Sequence, residues 1–248
     1  MSQALNLYTP NIEDLITEDD EPVDNIPSEK QQRLLTRTLY TSWKDVEGKR
    51  KFLACANVGI FYQAKNPPVV PDIFLSLDVE VAEDWWAKEH RSYFIWEFGK
   101  PPEVALEIVS NQVGEEAGEK MRKYARMKVE YYVIFDPDKF LSKNVLTIYK
   151  LHGFRYRKQL SHKLETIGLG LILWEGEFEG VKRAWLRWVD EAGNLLLTGE
   201  ERAKLERAEK EKERAEKEAA LLKAEEALQK AERLAARLRE LGKDPDKI

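Results

Sequence analysis

One cysteine, Cys55 in FLACANVG, stands among 248 residues, so no disulfide can form within the chain and a reducing, cytoplasmic setting is expected. With no histidine near it in sequence, Cys55 reads as a small buried apolar residue and not as a nucleophile. The three histidines, His90, His152 and His162, are too scattered to suggest a zinc site. No run approaches the roughly eighteen apolar residues that a membrane span needs. The opening MSQALNLYTPNIEDLI has no basic stretch leading into an apolar one, so no secretory signal is expected. A Gly-rich phosphate loop, a GxSxG elbow and a CxxC pair are also absent. The usual signatures of nucleotide binding, serine hydrolysis and thiol redox chemistry go with them.

Hydrophobic residues make up 43% of the chain and aromatics 10%, enough for a packed core. The 34% of charged residues sit disproportionately in the last fifty positions, so two kinds of sequence are joined here. Residues 1–27 are acidic and punctuated by proline (EDLITEDDEPVDNIP), which reads as a loosely ordered arm. Ser28 is the expected N-cap of a helix over SEKQQRLLTRTLYTSW, with Leu34, Leu35, Thr38 and Leu39 near helical spacing. The segments KFLACANVGIFYQ, PDIFLSLDVEV, SYFIWEFG and PPEVALEIVS read as strands or strand-loop regions. The prolines of NPPVVP exclude helix between the first two. A helix around 115–127 then leads to the strand EYYVIFDP, so PPEVALEIVS, helix and EYYVIFDP form a β-α-β crossover. Shorter strands follow in NVLTIYKL, FRYRKQL, GLILWEGEFEG and AWLRWVDEAGNLLLTG, the last a hairpin about Ala192-Gly193-Asn194. The expected fold class is therefore α/β, a mixed sheet with helices packed on it over residues 28–198.

The most informative residues are acidic ones inside apolar runs. Asp72 opens PDIFLSL, Glu107 sits inside VALEIVS, and Lys120 follows on the helix GEEAGEKMRKYARM. Burying a carboxylate is costly unless a partner or a cation meets it. Two strands that each deliver one carboxylate, followed by a lysine, make a divalent-metal site suited to phosphodiester hydrolysis. Hard cations such as Mg²⁺ bind through one or two carboxylates together with water and phosphate.

The stretches EPVDNIPSEKQQRLL, ANVGIFY, PPVVPDIFLSL, PPEVALEIVSN and GEKMRKYARMKVEYYVIFDP carry a family resemblance over roughly residues 21 to 137. The chain resembles the Uma-two family of restriction-endonuclease-like proteins in its cyanobacterial-type form, within the PD-(D/E)XK nuclease superfamily. The resemblance implies a restriction-endonuclease-like fold and a Mg²⁺- or Mn²⁺-dependent endonuclease acting on DNA. It also implies that Asp72 and Glu107 are the metal-binding acids. The superfamily pattern wants E-x-K on one strand, whereas Glu107-Ile108-Val109 puts an apolar residue at the lysine position. The resemblance assigns that lysine to the following helix, at Lys120, with Lys123 as the other choice. Some superfamily members recruit a glutamate from an upstream helix, which makes Glu29 a further candidate; a dipole-favouring place in the first helical turn is the preferred reading of Glu29.

The competing reading is a non-catalytic nuclease-fold module for DNA binding or assembly, kept open by the missing E-x-K lysine and the net charge of −5. Against that charge, Lys120, Arg122, Lys123, Arg126 and Lys128 crowd one short helix, and Arg155, Arg157 and Lys158 form a second basic segment. Asp78, Glu80, Glu83 and Asp84 read as solvated acids. Trp85-Trp86 reads as a packed or lidding pair, with base stacking as the alternative. Ser110 could orient Glu107 or a phosphate, or simply end the strand. Tyr124, one turn beyond Lys120, is placed to pack under it.

From Gly199 to Gly242 there is no proline, and ERAEKEK at 206–212 nearly repeats as ERAEKEA at 213–219. This predicts one long helix over 199–242, ended by Gly242, with a short tail at 243–248. Ala224, Ala231 and Leu238 alternate with Ala227, Leu234 and Leu241 at heptad spacing, so a coiled coil that forms a homodimer or other oligomer is expected, with a solvated single helix as the alternative. Truncation after Gly199 is expected to leave the core folded and to lower the mass measured in solution by light scattering. An unchanged mass across a dilution series would exclude the helix as the oligomerising element.

Overall fold

A computed structural model describes residues 25–43, 51–63, 67–86, 90–110 and 116–240, and the chain divides into two compact units at Thr198 and Gly199. Apart from Asn25, Ile26 and Pro27, the expected N-terminal arm lies outside the described residues, as do Gly242 and the 243–248 tail. Helix α1 spans Ile26–Ser42, and its cap is Asn25 instead of Ser28. The extended Asn25 accepts a 2.9 Å hydrogen bond at Oδ1 from the Ser28 backbone N–H. Pro27 occupies the first turn, where its missing N–H has no intrahelical partner to lose. The helix thus begins two residues before the expected 28–198 core.

Strands β1 (Phe52–Ala56), β2 (Ile60–Phe61), β3 (Ile73–Leu77) and β4 (Tyr93–Phe94) follow. PDIFLSLDVEV stays extended only as far as Leu77, because Asp78 turns the backbone to φ 55°. SYFIWEFG is likewise only half a strand. After Phe94 the chain forms the short helix α2 (Ile95–Phe98), closed by Gly99 at φ 74°, a left-handed conformation that glycine takes without steric cost. Strand β5 (Val104–Ile108), a π-helical turn over Glu116–Lys120, α3 (Met121–Met127) and β6 (Tyr131–Phe135) then form the expected crossover, with β5 and β6 parallel. After β7 (Leu146–His152), β8 (Arg155–Lys158) and β9 (Lys163–Leu164) come two ten-residue strands, β10 (Leu169–Phe178) and β11 (Val181–Asp190). Their hairpin turns at Glu179 (φ 47°) and Gly180 (φ 76°). The sequence points instead to Ala192-Gly193-Asn194, where the chain does turn but forms only the Val189–Leu195 bridge. A glutamate at positive φ is an unusual turn residue, so this hairpin carries weak local signal.

The main sheet has the order β1-β3-β5-β6-β7-β8 and is mixed, with β5–β6 its parallel pair; β11-β10-β9 form a second sheet and β2-β4 a third, parallel pair. One face of the main sheet packs Leu75, Leu106 and Val133 against Leu35 and Leu39 of α1 and against Leu186 and Trp188 of β11. The other packs Phe74, Ala105 and Tyr132 against Tyr124 and Met127 of α3 and Tyr93 of β4. This is a restriction-endonuclease-like α/β fold. In the second unit, α4 runs unbroken over Gly199–Glu240 with ion pairs at i,i+4 such as Arg214–Glu218 and Lys217–Glu213.

Helix α1 also seals a sheet edge. β11 is an outer strand, and an open edge presents unpaired backbone groups. Gln31, 3% exposed, donates from Nε2 to the Leu186 carbonyl at 2.8 Å and accepts at Oε1 from the Leu186 N–H at 3.0 Å. Gln31→Ala orphans both buried backbone groups and should cost about 2–4 kcal/mol of stability by chemical denaturation. A loss below about 0.5 kcal/mol, the range of ordinary surface substitutions, would show that water replaces the side chain.

Candidate active site

The site forms where three strands of the main sheet end together. β3 and β5 run antiparallel with Ile73 opposite Leu106 and Phe74 opposite Ala105. One step further along this register sets Asp72 opposite Glu107, on the face that α3 covers, since directly opposed residues share a side. Asp72 is tied to its neighbour strand: its Oδ2 accepts from the Ile108 N–H at 2.6 Å. Its Oδ1 accepts from Gln32 Nε2 on α1 at 2.9 Å. Gln32 in turn shares an amide pair with Asn57, whose Nδ2 donates to Gln32 Oε1 at 3.1 Å. Asn57, at φ 54° just past β1, also donates its backbone N–H to the Asp72 carbonyl at 3.2 Å.

Glu107 is only 1% exposed. Its Oε2 accepts from Lys120 Nζ at 2.9 Å and its Oε1 from the Tyr124 hydroxyl at 2.7 Å. Burial pushes its carboxyl up to about 8, the Lys120 ammonium pulls the other way, and the nearby Asp72 charge adds to the rise. Burial and the adjacent Glu107 also hold the Tyr124 hydroxyl well above the ordinary tyrosine range, so it stays a neutral donor. The lysine arrives by a separate route. Val109, the residue where an E-x-K lysine would stand, is 2% exposed in the apolar cluster under α3. Lys120 reaches Glu107 from the last position of the π-helical turn. Such turns are rare and frequent at functional sites.

The donor chemistry fits a hard cation. Two carboxylates converge from neighbouring strands, and the more buried one has an ionised form that is disfavoured until positive charge meets it. Among the described residues no group of three or more His, Cys, Asp and Glu could hold a metal. A cation here would rest on Asp72 and Glu107, with water and phosphate completing its shell. A cleft of about 340 Å³ opens beside the ends of β5 and β6, lined by Ile108, Val109, Ser110, Pro137 and the start of α1.

Of the sequence candidates, Asp72, Glu107 and Lys120 come together, whereas Glu29 pairs with Arg33 at 3.0 Å on the half-exposed side of α1. The residue that α1 sends to the acids is Gln32, which sequence reasoning missed along with Asn57. Its signal was a polar side chain on the buried stripe of an otherwise leucine-lined helix. Tyr124 does more than pack, since it holds Glu107. Lys123 pairs with Glu119 at 2.7 Å. Asp78, Glu80, Glu83 and Asp84 are exposed, with Glu80 paired to Lys51. Trp85 and Trp86 pack on each other, ring centres 5.5 Å apart, and are 59% and 70% exposed. Burial pushes the Cys55 thiol up to about 11, which removes it as a nucleophile at neutral pH.

A family model, Uma2, described as "Putative restriction endonuclease", matches residues 18–172. The chain belongs to the Uma2 family. No curated protein and no solved structure matches it. The Uma2 match takes in Gln32, Asn57, Asp72, Glu107, Lys120 and Tyr124, and it stops inside β10, before β11 and α4. Among the described residues no helix is long and apolar enough to cross a membrane.

Glu107 makes the metal-free protein sensitive to pH. Its folded-state value lies above that of an unfolded glutamate. The stabilising contribution is therefore complete below the unfolded value and is lost as pH rises through about 8. In chelator, wild-type thermal stability should fall relative to Glu107→Gln as pH increases from about 5 to about 9, read by scanning calorimetry. Parallel pH curves for the two proteins would mean that Glu107 is ionised in the folded state throughout.

Proposed function

We propose that this Uma2 protein is a metal-dependent endonuclease that hydrolyses DNA phosphodiester bonds. The observation that carries the reading is the convergence of Asp72 and Glu107 with the Lys120 amine, 2.9 Å from the buried Glu107 carboxylate. Asp72 and Glu107 would hold Mg²⁺ or Mn²⁺, which when bound supplies positive charge to polarise the phosphate and acidify water. Lys120 keeps an ammonium at the edge of the same site, positioned to orient the attacking water and offset phosphate charge. Tyr124 fixes one oxygen of Glu107 while Lys120 meets the other. Gln32 and the Ile108 N–H fix the two oxygens of Asp72, so both acids are oriented before substrate arrives.

The test is plasmid cleavage with Mg²⁺ or Mn²⁺. Asp72→Ala and Glu107→Ala should each abolish cleavage and keep the fold, since removing one acid also relieves repulsion between the pair. Lys120→Ala should lower turnover by at least about 100-fold, within the range for positioned proton-transfer and charge-stabilising groups, with a smaller effect on metal affinity. Cleavage unchanged in both acid variants would sink the site. Greater damage from Lys123→Ala than from Lys120→Ala would move the lysine role along the helix.

A further inference from the structure

The net charge of −5 hides a strong asymmetry. Between Lys120 and Lys163 the chain carries twelve Lys and Arg against three Asp and Glu. Some exposed cations elsewhere in this protein are paired. Lys212, Arg214 and Lys217 each meet a glutamate on α4, and Lys30, Arg33 and Arg37 converge on Glu179. Arg122 and Arg126 differ. Both are exposed on α3, and among the described residues neither meets a carboxylate within ion-pair distance, nor does Lys158. Like charges left unpaired on one surface repel one another, so the arrangement suits a partner that brings dense negative charge.

The surface is built as one piece. Arg122 and Arg126 stand one helical turn apart on the outside of α3, the helix that begins next to Lys120. Lys128 ends the helix in a left-handed conformation, donates from Nζ to the Gly153 carbonyl at 2.7 Å and lies 3.1 Å from the centre of the Phe154 ring. The β7–β8 hairpin is thereby tied to the helix end, and the Tyr156 hydroxyl adds a 2.7 Å hydrogen bond to the Val129 carbonyl. Tyr156 packs on the α3 side of the sheet, and strand alternation puts Lys158 on that side too. Arg155 and Arg157 then project from the opposite side, level with His152 and Lys150.

We propose that Arg122, Arg126, Lys128 and Lys158 form a docking surface for the phosphate backbone of duplex DNA, running from Lys120 along α3 to the β7–β8 hairpin. Duplex DNA, with about one charge per 1.7 Å of axis, supplies the density that suits a row of cations without carboxylate partners among the described residues. The choice of DNA rests on the nuclease reading, because the row starts at the amine that meets Glu107. Binding and cutting can nevertheless be measured apart.

The experiment is anisotropy of a fluorescein-labelled mixed-sequence duplex with the full-length protein in EDTA, where metal-dependent cleavage is off. Four phosphate contacts should make the wild-type affinity fall about 150-fold between about 50 and 200 mM salt. Arg122→Gln/Arg126→Gln should flatten the log-log salt slope by about 2, with the fold checked by circular dichroism. Arg155→Gln/Arg157→Gln should stay within about threefold of wild type and keep its salt slope, since both arginines lie off the proposed face. An unchanged slope in the α3 double variant, or an equal loss in the β8 double variant, overturns the proposal. Wild type that binds in this pattern but cuts no plasmid with Mg²⁺ or Mn²⁺ would retire the nuclease reading and keep the surface. Full cleavage with no α3-dependent binding would retire the surface and keep the reading.

Discussion

Glu107 sits in β5, between β3 and β6, with almost no contact with water, and a carboxylate in that position raises its own energy unless something compensates. The surroundings are arranged around that cost. Tyr124 supplies a neutral hydroxyl, Lys120 supplies charge, and both come from the segment that crosses from β5 to β6. The crossover has to lie close over the sheet for either contact to form, and Tyr124, Met127, Phe74 and Tyr132 pack there to hold it. Packing of the apolar face and placement of the polar groups are therefore one requirement. A looser α3 would strand Glu107 without partners.

Asp72 depends on the other layer. Gln31 and Gln32 are consecutive on α1, about 100° apart around the helix. Gln31 grips the backbone of β11 while Gln32 grips Asp72. One helix thus reads the position of the second sheet and of the strand end that carries the acid. The same turn carries Lys30 and Arg33 to Glu179 at the tip of the β10–β11 hairpin. These outer ion pairs are partly exposed and worth little individually, so the two buried glutamines set the register of the helix.

The long helix answers to different physics. Among the described residues none of α4 is buried, and leucines such as Leu221, Leu222, Leu228 and Leu234 stand largely exposed. Propensity and i,i+4 ion pairs suffice to form it, which is why it was legible from composition and repeat alone.

Patterns with a short range were readable in the residues themselves. The apolar runs around Asp72 and Glu107, the β-α-β order and the unbroken charged helix each follow from local spacing; Asp72 and Glu107 stood out because charge in an apolar run demands explanation, whereas the choice of Lys120 came from the family resemblance. The helix cap at Asn25, the half-strand at Tyr93–Phe94 and the hairpin at Glu179–Gly180 depended on single backbone conformations that many sequences can adopt. Gln32, Asn57 and the pairing role of Tyr124 were decided by tertiary structure alone. Each acts on a residue 13 or more positions away, across strand ends that only the register of β1, β3 and β5 brings together. An amide on a helix gives no local sign of which carboxylate it will meet, since that depends on how helix and sheet pack.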